Sequence, residues 1–175
     1  CILLPILLLP MLHPVPVFEF STTSDLSCWT VVNDGVMGGT SSGQLYVNAR
    51  GHGVFKGQVS LENNGGFSSL RYRPKAVIPT TPSSKMVIRV KGDGKRYQFR
   101  IKSNTSDAHA YVSYFTATTT WQTVVLPLAE MYPTFRGRRL EMDNYNGAGV
   151  AELGFLIGNK TAEHFTLEIA ALALE

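Results

Sequence analysis

Guanidiniums at alternate positions are the groups in this chain best suited to chemistry. Arg71 and Arg73 stand two apart in one polar-apolar run, and Arg96 and Arg100, with Lys102, alternate with Tyr97, Phe99 and Ile101 in another. A period of two puts each set on one face of a strand. A guanidinium offers a planar fork of donors that can hold a carboxylate, a phosphate or a backbone carbonyl bidentately. If the two strands share a sheet, their faces merge into a binding patch of four arginines, rimmed by Asn33, Asp34, Asn63, Asn64 and Arg136. The net charge is only +3, from 16 Lys and Arg against 13 Asp and Glu, so such a density would be local. It repels itself unless Glu62, Asp93 or Glu168 compensates it or a partner with carboxylates or polar loops does. The bland alternative, a solvated sheet face with ordinary surface arginines, stays open at this point.

Catalysis would need a nucleophile with its base, a carboxylate pair or a metal. Asp34 and Asp93 both sit in glycine-rich turns, where aspartate is ordinary. Asp34 with Glu62 is the only statable carboxylate pair, and glycosidase chemistry would require a separation of roughly 5–9.5 Å. Ser41, Asp34 and His52 do not follow the order of a triad. The four histidines and the two cysteines, Cys1 and Cys28, are scattered without metal-ligand spacing. The reading is therefore no enzyme, no cofactor and no metal, a calcium ion held by turn oxygens being the one exception. The glycines of Asn33-Asp34-Gly35-Val36-Met37-Gly38-Gly39 have the wrong spacing for a phosphate loop, and no lysine follows them. Arg136-Gly137-Arg138-Arg139 is the only tight basic run and lacks a recognition helix, so nucleic acid is not expected as a partner.

The elements that must carry these groups are short strands. The chain has 175 residues, 44% hydrophobic and 17% charged, with 16 glycines and 9 prolines, which suits one strand-rich domain. Two-faced alternation recurs at Leu45–Ala49, Val54–Lys56, Met86–Val90, Arg96–Lys102, Tyr111–Phe115, Leu153–Ile157 and Phe165–Ile169. Asn63-Asn64-Gly65-Gly66 predicts a hairpin between the strand holding Val59 and the strand holding Leu70, and Asp93-Gly94 predicts another. Asn33 to Gly39 is expected to pack against Asn63 to Phe67. Residues 133–146 read as a long loop, and the strands near residues 17 and 165 as a terminal pair. Tyr97, Phe99, Tyr111, Phe115 and Trp121 are expected to fill the core. The fold class is all-β, a jelly-roll sandwich over residues 17–175. Residues 1–16 form an apolar segment and a proline-rich linker. The apolar run is too short and too proline-broken to span a bilayer. It reads as the remnant of a signal peptide, as a membrane-proximal fragment or as a packed arm, so export or membrane proximity is one expectation.

Taken together, these motifs resemble the NADH:ubiquinone oxidoreductase complex I intermediate-associated protein family. The resemblance runs from Trp29 through Asn33-Asp34-Gly35-Val36-Met37-Gly38-Gly39, Phe55-Lys56-Gly57 and Leu61-Glu62-Asn63-Asn64-Gly65-Gly66-Phe67 to Arg71. It resumes at Gly92-Asp93-Gly94-Lys95-Arg96-Tyr97, Trp121-Gln122, Phe135-Arg136-Gly137-Arg138 and Gly154-Phe155, and it covers about residues 17–171. It implies a galactose-binding-like jelly roll and a protein-binding, assembly-factor or chaperone role at a membrane or respiratory complex. By resemblance alone it also implies a mitochondrial setting. The rival is a carbohydrate-binding module using Tyr72, Tyr97, Tyr114 or Trp121 as a stacking platform, with Asn63, Asn64 and Arg71 as hydrogen-bonding groups.

Overall fold

The computed structural model describes residues 13–175, so the apolar run 1–12 lies outside the described residues. In chain order the strands are β1 (Val15–Glu19), β2 (Trp29–Asn33), β3 (Ser42–Val47), β4 (Gly53–Val59), β5 (Ser68–Tyr72), β6 (Lys85–Lys91) and β7 (Arg96–Lys102). Then come β8 (Ala110–Thr116), β9 (Gln122–Pro127), β10 (Tyr132–Phe135), β11 (Arg138–Arg139), β12 (Glu152–Ile157) and β13 (Glu163–Leu174). The only helical pieces among the described residues are three short 3₁₀ turns.

The strands form two antiparallel sheets. One runs β3-β4-β13-β6-β9 with β1 added to β13, and the other runs β11-β10-β8-β7-β12-β5-β2. Alternation drives this layering. On each strand the apolar set points inward, so that Phe55, Val59, Leu167 and Ile169 of the first sheet meet Leu70, Tyr97, Phe99, Leu153 and Phe155 of the second in one core. The result is a jelly-roll sandwich, as the strand pattern implied, of the galactose-binding-like architecture that the family resemblance implied. The terminal strands do pair, but β1 aligns with Ala171–Leu174, at the far end of β13 rather than beside Phe165. It begins at Val15, inside the stretch read as linker.

Two expected hairpins are not hairpins. β4 and β5 lie in different sheets, and so do β6 and β7. Residues 60–67 carry the chain across the sandwich through a 3₁₀ turn with Asn63 and Asn64 at φ +54° and +59°. Asp93 pins the second crossing: its carboxylate accepts from the backbone N–H of Lys95 (3.1 Å), from that of Thr166 in β13 (2.8 Å) and from the Tyr97 hydroxyl (3.0 Å). Burial, then the Asp93 charge, pushes the Tyr97 phenol far up. Both stretches carry correct turn signals, but a turn does not say whether the next strand pairs back or changes layer.

Two further readings change. The stretch read as a long loop contains the hairpin β10–β11, with Phe135 opposite Arg138. Its two-residue turn has Arg136 at φ +49° and Gly137 at φ +76°, the two left-handed residues that strand twist favours in tight hairpins. Trp121 is not core: it is half-buried beside the first sheet, edge-on to His52 at 4.6 Å between ring centroids. Tyr111 only packs against the edge of the core. Cys28 is a free, half-buried thiol.

Candidate functional site

The outward residues of β5, β12 and β7 line up in rows across the second sheet. Register places Arg71 of β5, Gly154 of β12 and Arg100 of β7 in one row. Along β12 the row toward Glu152 has Lys102 opposite it on β7, with Arg73 just past β5. The row toward Leu156 has Ser69 and Gln98. Strands about 4.8 Å apart separate the Arg71 and Arg100 Cα atoms by roughly 10 Å, within reach of one oxyanion for two long side chains. The three strands floor a cleft of about 580 Å³, walled by Phe67 and Asn64 on one side and by Phe135 and Arg136 on the other. The volume falls in the range of small-molecule sites.

The rows differ in charge balance. Arg73 Nε donates to a buried Glu152 carboxylate at 2.6 Å, and Lys102 Nζ donates to the Asp107 carbonyl at 2.8 Å. Burial lowers the Lys102 ammonium, and Glu152 pulls the other way. Among the described residues Arg71 and Arg100 make no ion pair. Arg100 donates to Gln98 Oε1 at 3.0 Å. Burial, then the charge of Arg71, pushes its guanidinium below the usual range. The floor at Gly154 has a steric cause: a Cβ there would sit 2.0 Å from the Leu70 carbonyl oxygen.

The rim is fastened by Asp34. The sequence placed this carboxylate on the binding surface, whereas in the structure it is buried, 1% exposed. Its oxygens accept from Ser41 N–H (3.0 Å), Ser41 Oγ (2.5 Å), Gly66 N–H (2.6 Å) and Phe67 N–H (3.3 Å). The loop after β2 thus packs on the crossing before β5, as expected. Gly39 and Gly65 permit it, because a Cβ at either would meet the Asp34 carboxylate at 2.2 and 2.5 Å. Burial alone would raise the Asp34 carboxyl; the bonds from Ser41, Gly66 and Phe67 outweigh burial and hold it below its usual range.

The other sequence candidates divide. Asn33 Oδ1 accepts from Ser68 Oγ at 2.6 Å, which ties β2 to β5. Asn63 is exposed on the crossing, and Gly38 next to it is left-handed at φ +86°. Arg96 lies over the Tyr114 ring, 3.6 Å from its centroid. Neighbouring aromatics are covered in the same way: Arg139 lies over Tyr132 at 4.6 Å and Arg136 over Phe135 at 5.3 Å. Ser41 meets Asp34, but His52 is elsewhere, bonded through Nδ1 to Glu168 at 2.9 Å, so the three do not assemble. Among the described residues no group of three or more His, Cys, Asp or Glu could hold a metal ion. Sequence reasoning missed Glu152, Gly154 and Leu156. Period two marks them as the outward set of their strand, but nothing local says that β12 lies between β5 and β7.

The family model described as Complex I intermediate-associated protein 30 (CIA30) matches residues 18–169. The mitochondrial Complex I intermediate-associated protein 30 of Drosophila melanogaster is 26% identical, over 91% of this chain and 62% of that protein. The chain thus spans about three-fifths of the length of this curated relative. Solved structures of similar fold include a family 11 carbohydrate-binding module from Clostridium thermocellum in complex with a β-1,3-1,4-mixed-linked tetrasaccharide. It is 13% identical, with a TM-score of 0.59, over 89% of this chain and 93% of that one. A family 29 carbohydrate-binding module is 10% identical, with a TM-score of 0.54, over 92% and 86% of the two chains. At these identities the likeness is one of fold.

Proposed function

The chain belongs to the complex I intermediate-associated protein 30 family, and from that premise we propose that it is a non-catalytic protein-binding domain that assists assembly of a respiratory membrane complex. The mitochondrial relative supports the same organelle for this chain. One observation carries the choice of protein over sugar. Phe135 on the cleft wall, and Tyr114 and Tyr132 on the neighbouring strands β8 and β10, each carry the chain's own arginine over one ring face, while Arg71 and Arg100 share a row without a carboxylate between them. A sugar platform needs bare aromatic faces; a protein contact uses arginines and ring edges at a polar surface. Binding of carbohydrate is the second reading, favoured by the cleft's place on a sheet of this architecture.

Site-specific photocrosslinking in organelle membranes tests the proposal. A photoreactive residue replacing Phe135 or Leu156 should trap subunits or assembly intermediates of a respiratory complex, identified by mass spectrometry. The same group replacing Gln58, on the first sheet, should not. Equal trapping from both sheets, or no trapped subunit together with saturable binding of a neutral mixed-linkage glucan tetrasaccharide, would overturn it.

A further inference from the structure

The rows across β5, β12 and β7 repeat one arrangement with a single difference. Where β12 presents Glu152, its flanking cations Arg73 and Lys102 have a carboxylate between them. One row on, β12 presents Gly154, and the flanking cations Arg71 and Arg100 have none. The chain cannot supply one at that position, since any side chain at 154 would overlap the Leu70 carbonyl. The next outward residue along β12 is the half-buried, apolar Leu156.

We propose that the Arg71–Gly154–Arg100 row is a carboxylate subsite for an acidic side chain of an extended segment of a partner protein, which stands over Gly154 as Glu152 stands in the next row. This deepens the protein-binding reading above and rests on it. Two guanidiniums flanking a backbone floor can each donate a pair of hydrogen bonds to one carboxylate. The half-buried setting of Arg100 keeps that charge poorly screened. An extended segment lying along β12 repeats its side chains on one face every two residues, about 6.6–6.8 Å, which is also the spacing from Gly154 to Leu156. The segment recognised therefore carries Asp or Glu with an apolar residue two places away. Phe67 and Phe135 on the walls supply further apolar contact for its flanks. Charge complementarity favours this occupant over a neutral glycan, whose hydroxyl oxygens can accept from the guanidiniums but bring no negative charge to two cations that lack a carboxylate partner.

The probe is a pool of N-acetylated, C-amidated heptapeptides with a fixed central glutamate and a leucine two places on, compared with the same pool bearing glutamine. Binding to the full chain is read by fluorescence anisotropy at about 50 mM salt and again at several-fold higher salt. The glutamate pool should bind at least tenfold tighter than the glutamine pool, with the margin shrinking as salt rises. Arg71→Gln with Arg100→Gln should abolish the preference while thermal unfolding stays near that of the parent. Lys56→Gln on the first sheet should leave the preference intact. Equal binding of the two pools, or a preference that survives the double variant, would overturn the subsite. So would saturable, Arg71- and Arg100-dependent binding of an oligogalacturonate with no peptide binding. Membrane crosslinks from Phe135 and Leu156 that persist in the double variant would sink the carboxylate subsite and leave the protein-binding reading standing; loss of all crosslinks in the parent chain would sink that reading itself.

Discussion

Asp34→Asn isolates what fastens the rim of the cleft. The buried carboxylate receives four hydrogen bonds, two of them from the backbone N–H groups of Gly66 and Phe67. Asparagine keeps the size and one carbonyl oxygen, which can still accept from Ser41 N–H. It turns the other position into an NH₂ group that faces two N–H donors. Leaving a buried donor without an acceptor costs about 1–3 kcal/mol. The Gly66 bond at 2.6 Å belongs near the top of that range, and the Phe67 bond at 3.3 Å near the bottom. The expected loss is about 4 kcal/mol at pH 7, or about 8–16 °C in Tm for a domain of this size. Urea unfolding followed by tryptophan fluorescence measures it. The pH dependence gives a second handle. The folded-state carboxyl lies below its unfolded value, so its stabilisation is full above about pH 4 and is lost as pH falls through the folded value. The gap between parent and variant should therefore narrow in acid. A loss below about 0.5 kcal/mol at pH 7, or a gap that stays constant down to pH 2, would refute the account of Asp34 as the clamp.

Other outcomes follow from the same geometry. Gly154→Ala forces a Cβ against the β5 backbone and should cost about 3 kcal/mol by denaturant unfolding, the upper part of the usual overpacking range. Arg100→Gln removes a half-buried cation that burial and then Arg71 disfavour and that Glu152 attracts only weakly from the next row, so its unfolding free energy should stay within about 0.5 kcal/mol of the parent, where most surface changes fall; a larger loss would mean that Glu152 holds Arg100 as a structural partner. Glu168 is held below its usual range because bonds from Asn48 and His52 outweigh the burial that would raise it. Its contribution is present above about pH 4.3 and lost as pH falls through the folded value. Glu168→Gln should therefore lower stability by about 1 kcal/mol at pH 7, and urea midpoints at successive pH values should show the difference shrinking in acid.

Period-two alternation was enough to set the all-β class, the inward set of Tyr97, Phe99 and Phe115, and the outward set of Arg71, Arg73, Arg96 and Arg100. Side-chain direction on a strand is a local property, written every two residues. The glycine-dense stretches around Asp34 and Asn64 were also legible as ordered turns that touch, because their composition exceeds what a reversal alone requires. Only the tertiary structure decided which strands are neighbours. The crossings at 60–67 and at Asp93 look like hairpins, since both kinds of connection need the same left-handed and glycine residues; layer choice is set by where the whole apolar face finds its core. Burial decided the role of Asp34, whose sequence neighbours are those of an exposed turn but whose partners Gly66 and Phe67 lie more than thirty residues away. The row Arg71–Gly154–Arg100 was invisible for the same reason. It exists because β12, from near the end of the chain, inserts between two strands from its middle, and a register between distant segments is fixed by packing rather than by any pattern within one of them.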